Sequence, residues 1–490
     1  MTARTDTHSS RSLGGEPALI NACYVGSQWR TSGQTVDVAN LYHGTPYSRT
    51  AIADPVTVRL ALDSCRAGAA AMAAIPAHER AKWLHAAADA LDERQAEAIE
   101  MLVAEAGKPV AGARDEVNRA AETLRFSAVE AIKLAGELVP MDASSRGGNG
   151  KLGFFLRKPV GVVLAITPFN APLNLLCHKI GPAIAAGNAV IAKPDLRTPS
   201  TANLLCEIFH ELGLPPGAFS LLHGGAEVGA ALVQADEVDM VSFTGGIVAA
   251  SQIRQSAGIK RVSLELGGNG ANIVCADADI DDAARQIAYN GFSYAGQSCI
   301  SVQRVYVEAA IFAEFQKAFL AYASRLVAGD PADPATDLGP MINHSTAEKL
   351  LGWIDDALRD GGRLLLGGQI RDGILQPTVL ADVPPRANVV CEEVFGPIVV
   401  LQSVADLDEA LQQANDSRFG MQAGVFTASL ATAMRAVHEL DVGGVLINNT
   451  SNYRVDHQPY GGVKHSGSGR EGPAYAIAEM TDVKMVVMSR

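Results

Sequence analysis

Hydrophobic and polar positions fall into two textures along this chain. Through the first third, apolar residues recur at helical spacing. An alanine-rich stretch covers 55–74, a second runs from His78 with Leu84, Leu91 and Leu102 on one side, and a third covers about 111–137. Asp54-Pro55 supplies a capping residue and a first-turn proline for the first of these. Gly107-Lys108-Pro109 reads as the stop of the second. From residue 159 onward, short apolar runs alternate with helical patterns. Runs over 159–166, 189–193, 219–222, 239–243 and 261–266 read as buried strands, with helical segments between them. Repeated βα units predict a parallel sheet covered by helices on both faces. A second such series begins at 272–275 and continues through 302–307, helices over 310–327 and 345–360, and strand runs at 398–401, 423–426 and 445–448. The expected class is α/β, with a Rossmann-like first domain and a second α/β domain. Residues 141–150, rich in Gly, Ser and Asp, read as a strand or hairpin excursion, because 152–157 is β-like again. The run 482–488 either completes this subunit's own sheet or adds an edge strand to another.

Composition then narrows the class. At 490 residues the chain is long enough for two or three domains. With 48% hydrophobic and 19% charged residues it reads as a soluble globular enzyme, unlike a disordered chain. A net charge of −13 opposes a nucleic-acid or anionic-membrane partner, and no apolar run approaches the ~20 residues that span a bilayer. Residues 1–17 lack an apolar core and read as a disordered tail rather than a secretory signal, with a short organellar presequence as the alternative. Seven scattered cysteines without a CxxC pair indicate reduced, cytoplasmic usage. No HExxH spacing occurs, so no metal site is expected.

One cysteine stands apart. Cys299 closes the run Gly-Phe-Ser-Tyr-Ala-Gly-Gln-Ser-Cys over 291–299, a glycine-containing turn between a helical pattern and a strand. Backbone amides and a helix dipole at such a turn would lower a thiol pKa from ~8.5 toward neutrality, as a nucleophile requires. A nucleophile also needs an oxyanion donor and a base. Ile166-Thr167-Pro168-Phe169-Asn170 ends a strand, where α/β folds place ligands, and its asparagine is a neutral, rigid donor. Glu265-Leu266-Gly267-Gly268 sets an acid beside glycines that permit close approach. An apolar site would raise its pKa toward the operating pH.

These motifs, in this order and spacing, resemble the aldehyde dehydrogenase superfamily from about Ile20 to the C-terminus. The resemblance implies the aldehyde dehydrogenase fold, with Cys299 as nucleophile, Asn170 and the Cys299 backbone N–H as oxyanion donors, and Glu265 as the base that activates the deacylating water. It also implies an NAD or NADP cofactor bound by Lys193, Thr167, Phe169, Gly245, Gly246, Leu266, Glu393 and Phe395. No GxGxxG follows a strand, and Phe243-Thr244-Gly245-Gly246 supplies the phosphate-side turn that opens a helix. Leu196 occupies the position where NAD-preferring members commonly have a ribose-binding glutamate. A 2′-phosphate is therefore not repelled there, and Arg197 could pair with it. The wording around Cys299 is similar to the lactaldehyde and phosphonoacetaldehyde dehydrogenase branch. Members acting on phosphorylated aldehydes often carry arginine before the nucleophile, where this chain has Ser298. Arg114 and Arg454 are the candidate anion anchors, so the expected substrate is a small aldehyde, anionic if those arginines reach the site.

By the same resemblance, 18–138 and 154–267 form the cofactor domain, 268–457 the catalytic domain, and 139–153 with 478–490 the oligomerisation strands of a homodimer or homotetramer. The run from Pro459 to Gly472 is expected to shape the loop at the substrate entrance. Three rivals stand against this reading. A CoA-acylating dehydrogenase generally lacks the carboxylate found at Glu265. An inactive structural relative would have no reason to keep Cys299, Asn170 and Glu265 together. A Cys–His peptidase would need a histidine partner, and His178 and His223 sit in no recognisable setting.

Overall fold

The computed structural model describes residues 17, 19–31 and 33–489, so all of the tail expected at 1–17 except Pro17 lies outside the described residues. The first sheet has eight strands in the order Gly467–Ser468, Arg261–Glu265, Met240–Thr244, Val162–Ile166, Ala189–Lys193, Phe219–Leu221, Cys23–Val25 and Gln28–Arg30. Its five central strands are parallel. Val162–Ile166 and Met240–Thr244 are buried along their whole length because helices cover both faces, which is why the first reads as an unbroken apolar run and the second as an apolar run interrupted by Ser242. The strand order reverses between these two, and ligands of such sheets bind outside the carboxyl ends at that point. Register aligns those ends: Ile166 lies opposite Lys193 and Phe243, and Thr244 lies opposite Glu265.

The second sheet has seven strands in the order Arg363–Leu366, Thr378–Ala381, Ile398–Val404, Val302–Glu308, Gly270–Val274, Gln422–Phe426 and Gly444–Ile447. All pairings are parallel except that of Arg363–Leu366. Only residues 266–269 separate the last parallel strand of the first sheet from Gly270–Val274 of the second. The turn between helix Ile280–Phe292 and strand Val302–Glu308 carries Cys299 at the amino-terminal edge of the second sheet. The carboxyl edge of one sheet thus meets the amino edge of the other, and the gap between them is where chemistry can be assembled.

A third, antiparallel sheet joins Thr481–Met488, Leu152–Pro159 and Glu137–Val139. The C-terminal run pairs within its own subunit, from Thr481 opposite Pro159 to Met488 opposite Leu152. The domain boundary drawn at 153/154 therefore falls inside one continuous strand. The polar 141–150 stretch is a short 3₁₀ turn, Met141–Ala143, with irregular chain after it.

The first third holds more β-structure than its pattern indicates. Leu19–Asn21, Pro46–Ala51 and Thr35–Ala39 form a small sheet, and Cys23–Val25 and Gln28–Arg30 a hairpin. Leu19–Asn21, Cys23–Val25 and Gln28–Arg30 are three residues each, too short to display an alternation. The helical pattern from His78 is two helices, Ala77–Glu93 and Gln95–Ala106, parted at Arg94. Among the described residues no helix is long and apolar enough to cross a membrane, and no cluster of His, Cys, Asp and Glu has the makings of a metal site.

Candidate active site

A cavity of about 540 Å³ opens between the two sheets. Its wall includes Thr167, Phe169, Asn170, Lys193, Gly245, Gly246, Glu265, Leu266, Cys299, Glu393, Phe395 and Arg454. Two expected residues are not in that wall. Ser298 lies beside the thiol but turns its hydroxyl to Asn452 Oδ1 at 3.3 Å. Arg114 is exposed on helix Val110–Lys133. The buried stripe of that helix runs through Ala113, Glu116, Val117, Ala120 and Ala121, so position 114 falls on the solvent side and Arg114 cannot anchor an anion here.

The turn that carries Cys299 is held by unusual backbone. Tyr294 and Ala295 have positive φ angles of 50° and 53°, and Tyr294 donates its hydroxyl to the Ala106 carbonyl at 2.9 Å. Two glycines explain why the Glu265 segment carries a Gly-Gly pair. A Cβ at Gly268 would lie 2.0 Å from the Cys299 carbonyl oxygen, and one at Gly267 would lie 2.2 Å from a Glu393 carboxylate oxygen. Only glycine lets the Glu265 loop, the thiol turn and Glu393 pack this closely.

The electrostatics differ from expectation. Burial pushes the Cys299 thiol up to about 12, opposed by the Tyr460 hydroxyl 2.9 Å from Sγ. The turn does not depress this pKa, because desolvation at the cavity wall dominates and the sulfur faces the carboxyl groups of Glu393 and Glu265. Asn170 directs Nδ2 at the thiol turn, donating to the Gln297 carbonyl at 3.0 Å. Glu265 is 2% exposed, and both of its carboxyl oxygens are buried without a hydrogen-bond partner. Burial, and then the nearby Glu471, hold it protonated well above the usual carboxylate range. Glu471 itself is kept ionised, because Lys179 at 3.2 Å and Arg454 at 3.0 Å outweigh its burial.

Several residues at the site carry no signal in a motif search. Lys108, read as part of a helix stop, donates to the Asn170 carbonyl at 2.8 Å, pairs with buried Glu116 and sits 4.6 Å from the Tyr294 ring centroid. Glu116 accepts from the backbone N–H of Leu173 and Asn174 at 2.9 and 3.3 Å, so it satisfies the free amides at the start of helix Pro172–Ala186. Lys179 and His178 are buried on that same helix. Two ionisable residues inside an otherwise apolar helix are the cue that would have found them. His178 bonds Asp456 at 2.9 Å, and Asp456 takes a bidentate pair from Arg119 at 2.9 and 3.0 Å. The 459–472 run does more than shape a loop, because it brings Tyr460 to the thiol and Glu471 to Lys179.

The cofactor side fits a dinucleotide. Thr167 Oγ1 is buried without a partner, and Gly246 opens helix Ile247–Ser256, which leaves free amides toward the cavity. Lys193 lines the wall at the end of its strand. Glu393 is tied to the Gly268 N–H at 3.0 Å, with its pKa pushed up to about 7 by burial. Arg197 pairs with Asp195 at 2.6 and 2.8 Å through Nη2 and Nε and lies 4.3 Å from the Phe169 ring centroid, which fixes its guanidinium at the cavity wall.

Comparison with known proteins agrees with this geometry. The sequence profile of the aldehyde dehydrogenase family matches residues 29–486. The chain is 44% identical over 468 residues to 3-sulfolactaldehyde dehydrogenase of Priestia aryabhattai, covering 95% of this chain and 97% of the relative. Among solved structures it resembles aldehyde dehydrogenase 21 of Physcomitrella patens in complex with the reaction product succinate, at 37% identity and a TM-score of 0.95, covering 97% and 99% of the two chains. It also resembles the NADP-dependent glyceraldehyde-3-phosphate dehydrogenase of Bacillus halodurans C-125 complexed with NADP, at 34% identity and a TM-score of 0.93, covering 96% and 99%. The chain therefore belongs to the aldehyde dehydrogenase family and oxidises aldehydes with NAD or NADP.

Proposed function

We propose that the substrate is a small aldehyde carrying an anionic group, oxidised to its carboxylic acid through a thioester on Cys299. One observation carries this reading. Cys299, Asn170 and Glu265 come from three distant segments yet line one cavity together with Arg454, whose side chain is 6% exposed and whose Nε has no hydrogen-bond partner. Lys179, Arg454 and Arg470 all act on Glu265, and Glu471 is the ionised carboxylate among them. With Glu265 protonated, the cluster holds more positive than negative charge, a condition that attracts an anionic substrate. The 3-sulfolactaldehyde in the relative's name is of that class, and the succinate bound by the structural neighbour as reaction product is the acid that an aldehyde already carrying one carboxylate gives on oxidation.

The roles follow from chemistry at each atom. The Cys299 thiolate adds to the carbonyl carbon, forming a C–S bond as the carbonyl electrons move to oxygen. Asn170 Nδ2 and the Cys299 N–H stabilise that oxyanion, each such donor contributing roughly 3 kcal/mol. Re-formation of the carbonyl from that oxyanion releases a hydride from the same carbon and leaves the thioester; Lys193, Thr167, Phe169, Gly245, Gly246, Leu266, Glu393 and Phe395 would hold the dinucleotide, whose nicotinamide would supply the hydride acceptor. Where Glu265 has lost its own proton, a fraction that grows with pH, its carboxylate then takes a proton from water, which attacks the thioester carbon and expels the thiolate. An unpartnered carboxyl group at this position favours hydrolysis over transfer to CoA. The exposed apolar side chains of Leu138, Leu156, Val483 and Val487 on the third sheet support a homodimer or homotetramer built across it. Seven unpaired cysteines support a cytoplasmic location.

An aldehyde panel tests the reading. Sulfonated, carboxylated and neutral aldehydes of similar length are assayed with NAD and NADP, with and without CoA, and products are identified. Free acid from the anionic aldehydes, independent of CoA, is the expected result. Preference for neutral aldehydes, or an acyl-CoA product, would contradict it.

A further inference from the structure

We propose that the Tyr460 hydroxyl is a catalytic hydrogen-bond donor to the Cys299 thiolate, holding the sulfur ionised and aimed until it attacks. The inference rests on Cys299 being the nucleophile and adds a group that neither the motif nor the oxyanion reading supplies. Tyr460 Oη stands 2.9 Å from Cys299 Sγ, and it makes no other hydrogen bond among the described residues. The ring is 3% exposed and fixed on its other side by Arg454, whose guanidinium lies 3.8 Å from the ring centroid. A cation over the ring draws electron density from the phenol and strengthens it as a donor. The chain around it is also fixed, since the Tyr460 N–H donates to the Glu471 carbonyl at 3.1 Å and the Glu471 N–H returns a bond at 2.7 Å.

The need for such a donor is plain from the surroundings. Glu265 and Glu393 face the sulfur from the first sheet and from the 393–397 loop, Arg454 faces it from the C-terminal loop, and burial disfavours the charged form most. Burial also pushes the phenol itself well above its ordinary range. The hydroxyl therefore keeps its proton while the thiol loses one, and it donates once the sulfur is charged. Addition to the aldehyde neutralises the sulfur, so the bond is strongest before attack and weakens as the C–S bond forms.

Tyr460→Phe removes the hydroxyl and keeps the ring beneath Arg454. The test follows alkylation of Cys299 by iodoacetamide as a function of pH, with the modified residue identified by mass mapping. A second titration reads thiolate absorbance against a Cys299→Ser blank. A hydrogen bond to a charged group predicts alkylation about tenfold slower at neutral pH in the variant and an inflection about one unit higher. An unchanged inflection and rate at Cys299, with the thermal melt also unchanged, would overturn the inference and leave the nucleophile reading intact. Turnover that survives complete alkylation of Cys299 in the wild type would instead overturn the nucleophile reading beneath it.

Discussion

Replacing Arg454 by methionine removes a charge and keeps much of the volume. The guanidinium pairs with Glu471 at 3.0 Å, while its Nε is buried without a partner beside the cavity that Cys299 lines. A substrate anion about 4 Å from that charge gains about 4 kcal/mol at an effective dielectric of ~20. Stripping water from both ions offsets part of this, leaving about 2–3 kcal/mol. That corresponds to a fall of roughly 30- to 150-fold in kcat/KM. The assay compares two aldehydes of equal length, one ending in a sulfonate or carboxylate and one neutral. Arg454→Met should lose that factor more on the anionic substrate than on the neutral one, whose own loss reports the support Arg454 gives to Tyr460 and Glu471. Arg114→Ala, on the exposed face of its helix, should change neither. Equal losses on both aldehydes would mean that Arg454 organises the site without binding the anion. No loss on either would remove the charge argument altogether.

Glu265→Gln should retain a first burst of about one reduced nicotinamide per subunit while steady turnover falls about 10²- to 10⁴-fold, measured by rapid-mixing absorbance. Because burial and then Glu471 hold Glu265 protonated well above the usual carboxylate range, its base form grows as pH rises. Thioester hydrolysis should therefore climb with pH on the alkaline side, and the variant should lose that limb. Asn170→Ala should slow the burst itself about 10²-fold with little change in cofactor Kd, because its Nδ2 is aimed at the thiol turn and not at the dinucleotide wall.

Much of the architecture was legible because the buried parallel strands are mostly apolar, interrupted only by small or end-of-strand polar residues such as Ser242 and Thr244. Val162–Ile166 and Met240–Thr244 announce themselves in this way, and the capped helix Pro55–Ala74 matches its expected bounds. The motifs named the residues that the fold gathers around one cavity, among them Cys299, Asn170 and Glu265. What the sequence hid are contacts made across long separations. Lys108 looks like a stop signal until the fold brings Asn170 beside it, 62 positions later in the chain. Tyr460 looks like part of a turn until it meets a sulfur 161 positions away. Arg114 failed for a different reason: helical phase, already visible in the neighbouring Ala113, Val117 and Ala120, points it outward. The thiol pKa failed because a favourable turn was weighed without the burial around it.

The most direct test of the central claim is the covalent intermediate. Glu265→Gln enzyme is mixed with oxidised cofactor and an anionic aldehyde, quenched in acid and read by intact and peptide mass. One acyl group per chain, located on Cys299 and absent from Cys299→Ala, is the predicted result. Acylation elsewhere, or reduced nicotinamide still formed by Cys299→Ala at the wild-type rate, would contradict it.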